Sequence, residues 1–211
     1  VSGLLSLVLP APVVTVEAYD DPPGVLLFPA EEAVIARAVD KRRREFTTVR
    51  HCARAALAQL GVAAAPIVPG ERGAPGWPAG IVGSMTHCAG FRGSAVAWSS
   101  EVTAIGLDAE PAGPLPDGVL EAVARPEEIL ALDRAARGVP WDRLLFSAKE
   151  SVYKAWFPIA HRFLDFSEAR LDLGADGTFT AVVLTAGPGE PTGFTGRWIC
   201  KDGLVITAIA V

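Results

Sequence analysis

Hydrophobic positions along the chain change period several times, and the changes mark the elements. From Trp141 to Trp156, the residues Trp141, Leu144, Leu145, Ala148, Val152, Ala155 and Trp156 gather on one side of a helix turning about 100° per residue. Ser147, Glu150 and Lys154 fall on the other side. An earlier stretch repeats the pattern, with Phe46, Val49, Ala53, Ala56, Leu57 and Leu60 sharing a helical face that Gly61 stops. Pro29 suits a helix start before it, with Glu31 and Glu32 at the positive end of the dipole and a pattern that then crosses the basic run Lys41, Arg42, Arg43 and Arg44. A further helix is expected from about Pro126 to Arg137, closed by Gly138 and Pro140.

Period-two alternation predicts strands at Val13–Ala18, Ile81–Met85, Ser94–Trp98, Thr103–Glu110, Ala169–Leu173, Thr178–Thr185, Phe194–Cys200 and Leu204–Val211. Asp176–Gly177 and Asp202–Gly203 supply hairpin turn chemistry. Residues 61–80 are rich in Pro and Gly and read as a connecting loop, with Arg72 and Trp77 its notable side chains. Each half thus combines long helical segments with an antiparallel sheet, an α+β arrangement whose second half starts near Gly106. No residue-level repeat relates the halves and no long linker separates them, so the cleft between them is the expected site.

Composition narrows the class. With 211 residues, half of them hydrophobic, the chain can bury a substantial globular core. A net charge of −5 argues against a general nucleic-acid binder. Cys52, Cys88 and Cys200 are widely spaced and odd in number, which fits neither a zinc cage nor a disulfide framework and suits a reducing cytoplasm. The apolar opening lacks a basic flank and soon meets Pro10 and Pro12, so a secretory signal is not expected. No run reaches the roughly 18 apolar residues of a membrane span.

Four groups of polar residues carry candidate chemistry. Arg43, Arg50 and Arg54 lie along one helical stripe with Arg42 close by, either a phosphate-gripping set or a solvated basic face offset by Glu31, Glu32 and Glu45. Ser84, Thr86 and His87 stand at a strand end before a glycine-containing turn, where they can meet an anion or serve structure alone. Asp108 and Glu110 share one face of a strand about 7 Å apart and repel unless a cation or basic partner intervenes. Hard oxygen ligands of this kind suit magnesium, although two solvated carboxylates at a strand end remain open. Glu150 and Lys154, one helical turn apart, act on the same small volume or form an ordinary surface pair.

Read together, SMTHCAGF with His87, GLDAEP with Asp108 and Glu110, and WDRLLFSAKESVYKAW with Glu150 and Lys154 resemble the 4′-phosphopantetheinyl transferases. The likeness is to the branch of the enterobactin-synthase-associated and surfactin-synthase-associated enzymes. It extends through KRRREFTTVRHCARAALAQLG and GAPGWPAGIVGS, covering roughly Lys41 to Leu164.

The resemblance implies a monomeric pseudodimer of two similar halves, residues 1–105 and 106–211, with the active site between them. It implies transfer of the 4′-phosphopantetheine arm of coenzyme A to a serine of an acyl or peptidyl carrier protein, releasing adenosine 3′,5′-bisphosphate. The carrier can belong to fatty-acid, polyketide or nonribosomal peptide synthesis. Asp108, Glu110 and Glu150 are then expected to bind magnesium, with manganese as an alternative. Arg42, Arg50, Arg72, Thr86, His87, Lys149 and Lys154 are expected against coenzyme A, with Asp108, Glu150 and Lys154 serving the chemistry. The helix ending at Arg137, with Arg134, and the loop before it are expected to dock the carrier. Two alternatives stay open: a noncatalytic coenzyme A-binding module, and a metal-dependent phosphodiesterase that releases the free arm.

Overall fold

The computed structural model describes residues 3–132 and 138–211. Its first half is built on a three-stranded antiparallel sheet of order β1-β3-β2, from β1 (Val14–Ala18), β2 (Ile81–Cys88) and β3 (Phe91–Trp98). Both flanking strands pair with β3, which is why every residue from Phe91 to Ala97 is buried. The helix expected from Pro29 stops at Val34 as α1 (Pro29–Val34) and does not cross the basic run; residues 41–44 belong instead to α2 (Asp40–Gln59). Ala53, Ala56 and Leu57 of α2 pack against Ile67, Ile81 and Val96. The hairpin between β2 and β3 is tighter than its alternation predicts: only Ala89 and Gly90 turn, Gly90 at φ +74°. Ser84, Thr86 and His87 therefore lie within the ladder.

The second half has a five-stranded antiparallel sheet of order β4-β8-β7-β6-β5. Its strands are β4 (Ile105–Pro111), β5 (Ala169–Leu173), β6 (Thr178–Val183), β7 (Gly193–Lys201) and β8 (Leu204–Ala210). Asp202–Gly203 forms the expected two-residue turn, with φ values of 52° and 77°. Asp176–Gly177 instead closes the longer loop 174–177, where Asp176 accepts from the Thr178 N–H and hydroxyl. Two short helices, α3 (Val119–Val123) and α4 (Pro126–Leu132), precede α5 (Trp141–Ala160). The rest of the helix expected after Leu132, with Arg134 and Arg137, lies outside the described residues.

The apolar face of α5 covers the sheet, with Leu144, Leu145, Ala148, Val152, Ala155 and Trp156 buried against Phe179, Trp198 and Ile209. Ser147 is a correction to the helical reading: it is fully buried, and it exchanges hydrogen bonds with Thr207 of β8. The reason is Gly106, where a Cβ would lie 1.9 Å from the carbonyl oxygen of Ser151. A strand without a side chain there lets the helix sit almost on the backbone, and the buried arc widens to include Ser147 and Ser151.

The halves meet where β2 runs beside β4, the edge strand of the larger sheet. Ser84 Oγ accepts from the Leu107 N–H at 3.1 Å and Thr86 Oγ1 from the Ala109 N–H at 3.0 Å. Alternate hydroxyls thus satisfy alternate edge donors that would otherwise be buried unpaired. The apolar opening of the chain fills the space nearby: Leu4, Leu5, Val8 and Leu9 pack with Phe91, Leu107 and Ile206. Glu17 fixes that segment by accepting from the N–H groups of Leu4 and Leu5.

Candidate active site

A cavity of about 800 Å³ opens between the halves. Arg42, Phe46 and Arg50 of α2, Arg72 and Trp77 of the long loop, Ser84, Met85 and His87 of β2, and Glu150, Tyr153, Lys154 and His161 from the α5 side line it. The two helices predicted to carry cations and the glutamate thus face one volume, although their sequences lie about a hundred residues apart.

The acidic floor is a layer under the cavity rather than part of its wall. Of the three acids only Glu150 lines the cavity, while Asp108 and Glu110 sit on β4 against α5 and are not among the lining residues, Asp108 being joined to the cavity through Lys154. Asp108 is 5% exposed; its Oδ1 accepts from Lys154 Nζ at 2.7 Å, while its Oδ2 is buried without a partner. Glu110 is held by Arg143 Nη1 at 3.0 Å, and Arg143 also donates to the carbonyls of Gly113 and Pro114. The sequence left Arg143 unnoticed, and its partner could not be read from one element. The Glu150 carboxylate makes no hydrogen bond or ion pair among the described residues. Burial raises its pKa above the ordinary carboxylate value, opposed by Lys154 and reinforced by Asp108. Burial likewise raises the Glu110 pKa, and Asp108 adds to it. The Asp108 charge thus acts on both glutamates, in the direction that like-charge repulsion requires.

Among the described residues no three His, Cys, Asp or Glu stand together closely enough to hold a metal ion as placed. The residues nevertheless fit one in kind. Asp108 offers an orphaned buried oxygen, Glu150 is uncompensated by any direct contact, and all donors are the hard oxygens magnesium takes. Lys154 and Arg143 supply the positive charge that Asp108 and Glu110 otherwise lack.

The cationic wall is less free than its stripe implied. Arg42 Nη1 lies 2.8 Å from His87 Nε2. A guanidinium has no lone pair to offer, so His87 Nε2 accepts and the imidazole is neutral with its proton on Nδ1. Burial lowers the His87 pKa and Arg42 lowers it further, while Glu45, 3.6 Å away, opposes them. Arg50 is buried, donates to the carbonyls of Ile67 and Phe46, and stacks 3.2 Å over the Phe46 ring. Burial brings its pKa down to about 10. Arg43 and Arg54, which the helical stripe grouped with Arg50, turn instead to Glu32 and Glu31. Arg72 lies 5.2 Å over Phe163 at φ 50°, at the cavity's rim.

Two residues expected against coenzyme A are not on the cavity wall. The Thr86 hydroxyl is buried between β2 and β4, spent on the Ala109 N–H and a 3.4 Å contact to Asp108. Lys149, 2% exposed, points to the opposite side of α5, bonding Glu128 at 2.8 Å and the carbonyls of Phe166 and Ala169. Conversely, Tyr153 and His161 do line the cavity. Counted from Glu150, they stand three and eleven residues on, beside Lys154 at four, a signal available in the helical period.

A cavity lined by Arg42, Arg50, Arg72, Lys154 and Glu150 between two α+β halves, with Asp108 joined to it through Lys154, is suited to phosphate chemistry. Comparison with known proteins settles the class. The profile of the 4′-phosphopantetheinyl transferase N-terminal domain matches residues 30–97, and that of the 4′-phosphopantetheinyl transferase superfamily matches residues 104–202. The 4′-phosphopantetheinyl transferase Svp of Streptomyces mobaraensis is 54% identical over 99% of this chain and 89% of its own length. The 4′-phosphopantetheinyl transferase PptT of Mycobacterium tuberculosis is 48% identical over 100% of this chain and 99% of its own. Enterobactin synthase component D of Salmonella typhi is 36% identical over a shorter region, 55% of this chain and 49% of that protein. The chain belongs to the 4′-phosphopantetheinyl transferase superfamily. It is an enzyme that transfers phosphopantetheine from coenzyme A to carrier proteins.

Proposed function

We propose that transfer takes place at the acidic floor, with coenzyme A held through its phosphates by Arg42, Arg50, Arg72, His87 and Lys154. The observation that carries this reading is that one cavity is lined by those five residues together with Glu150. On this reading the halves divide at residues 105 and 106, the first supplying most of the phosphate grip and the second the floor. Thr86 then serves through Asp108 and Ala109 rather than through a phosphate.

Asp108, Glu110 and Glu150 would hold magnesium, or manganese in its place. When bound, such an ion neutralises pyrophosphate charge and stabilises the departing phosphate oxygen. The chain's own residues align the rest. Lys154 already reaches the floor through Asp108, and its ammonium adds charge compensation where the phosphate bond breaks. Glu150, uncompensated by direct contact and with a raised pKa, accepts the proton of the attacking serine hydroxyl. The bond formed joins serine oxygen to phosphorus, and the bond broken releases adenosine 3′,5′-bisphosphate.

The carrier is an acyl or peptidyl carrier protein, and the enzyme works as a cytoplasmic monomer. No helix among the described residues is long and apolar enough to cross a membrane. The test is incubation with coenzyme A, magnesium and an apo carrier protein, followed by intact-mass measurement. A carrier heavier by one phosphopantetheine is expected, and that gain should vanish in Glu150→Gln. Free arm without carrier modification would instead mark a phosphodiesterase, and no product of either kind a binding module.

A further inference from the structure

Each half contains a deeply buried glutamate near the start of a short helix that the chemistry does not use. Glu31 is 0% exposed and Glu128 3%. Their surroundings match piece by piece. Both are the third residue of a short helix that opens with proline, after Phe28-Pro29 and Arg125-Pro126. Each turns one oxygen back to its own helix start: Glu31 accepts from the Phe28 N–H at 2.9 Å, Glu128 from the Arg125 N–H at 2.7 Å. Each gives the other oxygen to a main-chain N–H beyond the long helix, Ile67 at 2.8 Å and Leu171 at 2.7 Å. Each also grips a cation on that long helix. For Glu31 this is Arg54 of α2 at 2.9 Å, with Arg50 at 3.9 Å; for Glu128 it is Lys149 of α5 at 2.8 Å.

We infer that Glu31 and Glu128 are equivalent positioning residues, each fixing the turn and axial setting of one working helix, and that Lys149 is the cation of the second set rather than a coenzyme A contact. A buried carboxylate with three donors from three segments can be satisfied in only one arrangement of those segments. α2 presents Arg42 and Arg50 to the cavity, so Glu31 governs the grip on coenzyme A. α5 presents Glu150 and Lys154, so Glu128 governs the transfer step. Lys149 and Lys154 lie about 140° apart around α5, so a lysine anchored at the back holds the other at the floor. Linear pattern hides the equivalence because the spacing is common: Pro69 precedes Glu71 and Pro188 precedes Glu190 in the same way, yet neither of those glutamates is buried.

This inference rests on the assignment of Glu150 and Lys154 to transfer and of Arg42 and Arg50 to coenzyme A. It is tested on the full chain by steady-state transfer to an apo carrier protein, with coenzyme A varied and the folded concentration measured for each variant. Glu128→Gln and Lys149→Met are expected to lower kcat by about tenfold with KM for coenzyme A within about twofold. Glu31→Gln is expected to do the reverse, raising that KM by about tenfold with kcat within about twofold. If a glutamine variant does not fold, Glu31→Asp and Glu128→Asp, which keep the charge and shorten the reach, carry the same expectation. A rise in KM with unchanged kcat in Lys149→Met would return that lysine to the phosphates and overturn the inference. Wild-type kcat and KM per folded molecule in every variant, with only a lower melting temperature, would overturn it as well. Glu150→Gln run alongside tests the underlying assignment separately: near-normal turnover there removes the assignment whatever the other variants do.

Discussion

Lys154 Nζ lies 2.7 Å from Asp108 Oδ1 and 3.0 Å from the carbonyl oxygen of Leu107, so one ammonium ties α5 to the strand beneath it. The other Asp108 oxygen is buried without a partner, which makes this contact the carboxylate's main compensation. Lys154→Met is expected to destabilise the fold by about 1–3 kcal/mol by stranding that charge. Transfer should fall by about a hundredfold or more. Denaturant unfolding and single-turnover transfer measure the two effects, and a variant with both values unchanged would contradict the role.

Glu150 gives a pH signature. Its pKa is raised in the folded chain, so between the ordinary unfolded value and the raised one the folded state binds the extra proton, and stability falls as pH rises through that window. Glu150→Gln should therefore melt at a higher temperature than wild type near pH 7, in the presence of a chelator, and lose that advantage near pH 4. Its turnover should drop by about 10²–10⁴-fold at every pH. In wild type, kcat/KM should decline on the acid side through a pKa above 4.5, the ordinary glutamate value.

His87 is neutral as it accepts from Arg42, and a phosphate placed against both would favour its charged form. Coenzyme A binding near pH 7 is therefore expected to take up protons. Calorimetry in buffers of different ionisation enthalpy reads the uptake, which His87→Asn should abolish while weakening binding by about tenfold. Equal uptake in the variant would assign the proton elsewhere.

Gly106 sets the closeness of α5 to the larger sheet. Gly106→Ala puts a methyl group into the Ser151 carbonyl, and the backbone on both sides must move. A loss of about 3 kcal/mol in denaturant unfolding is expected, together with reduced kcat as Glu150 moves off the floor. Stability within experimental error of wild type would show that the helix is not seated as described.

Much of this site was legible in the sequence because its main parts lie on single regular elements. Period two placed Asp108 and Glu110 on one face of β4, and period 3.6 placed Glu150 and Lys154 on one face of α5. What sequence did not yield depends on meetings between elements. The helical wheel of α5 gives the direction of its buried face but not the width, which Gly106 on another strand decides. Glu31 read as a residue favoured by a helix dipole, yet its carboxylate is claimed by Arg54 and Ile67, more than twenty residues away. Lys149 stands next to Glu150 in the motif, but one residue is about 100° of helix, enough to send it to the opposite surface.

Main-chain donors on both edges of the five-stranded sheet are taken up from within. Ser84 and Thr86 occupy the donors of β4, and Glu128 occupies the Leu171 donor of β5. An uncovered row of main-chain donors is a template on which another chain can add a strand. The side chains that bring the halves together and seat the long helix therefore also interrupt that template, so that a neighbouring molecule meets a broken row of donors at either edge.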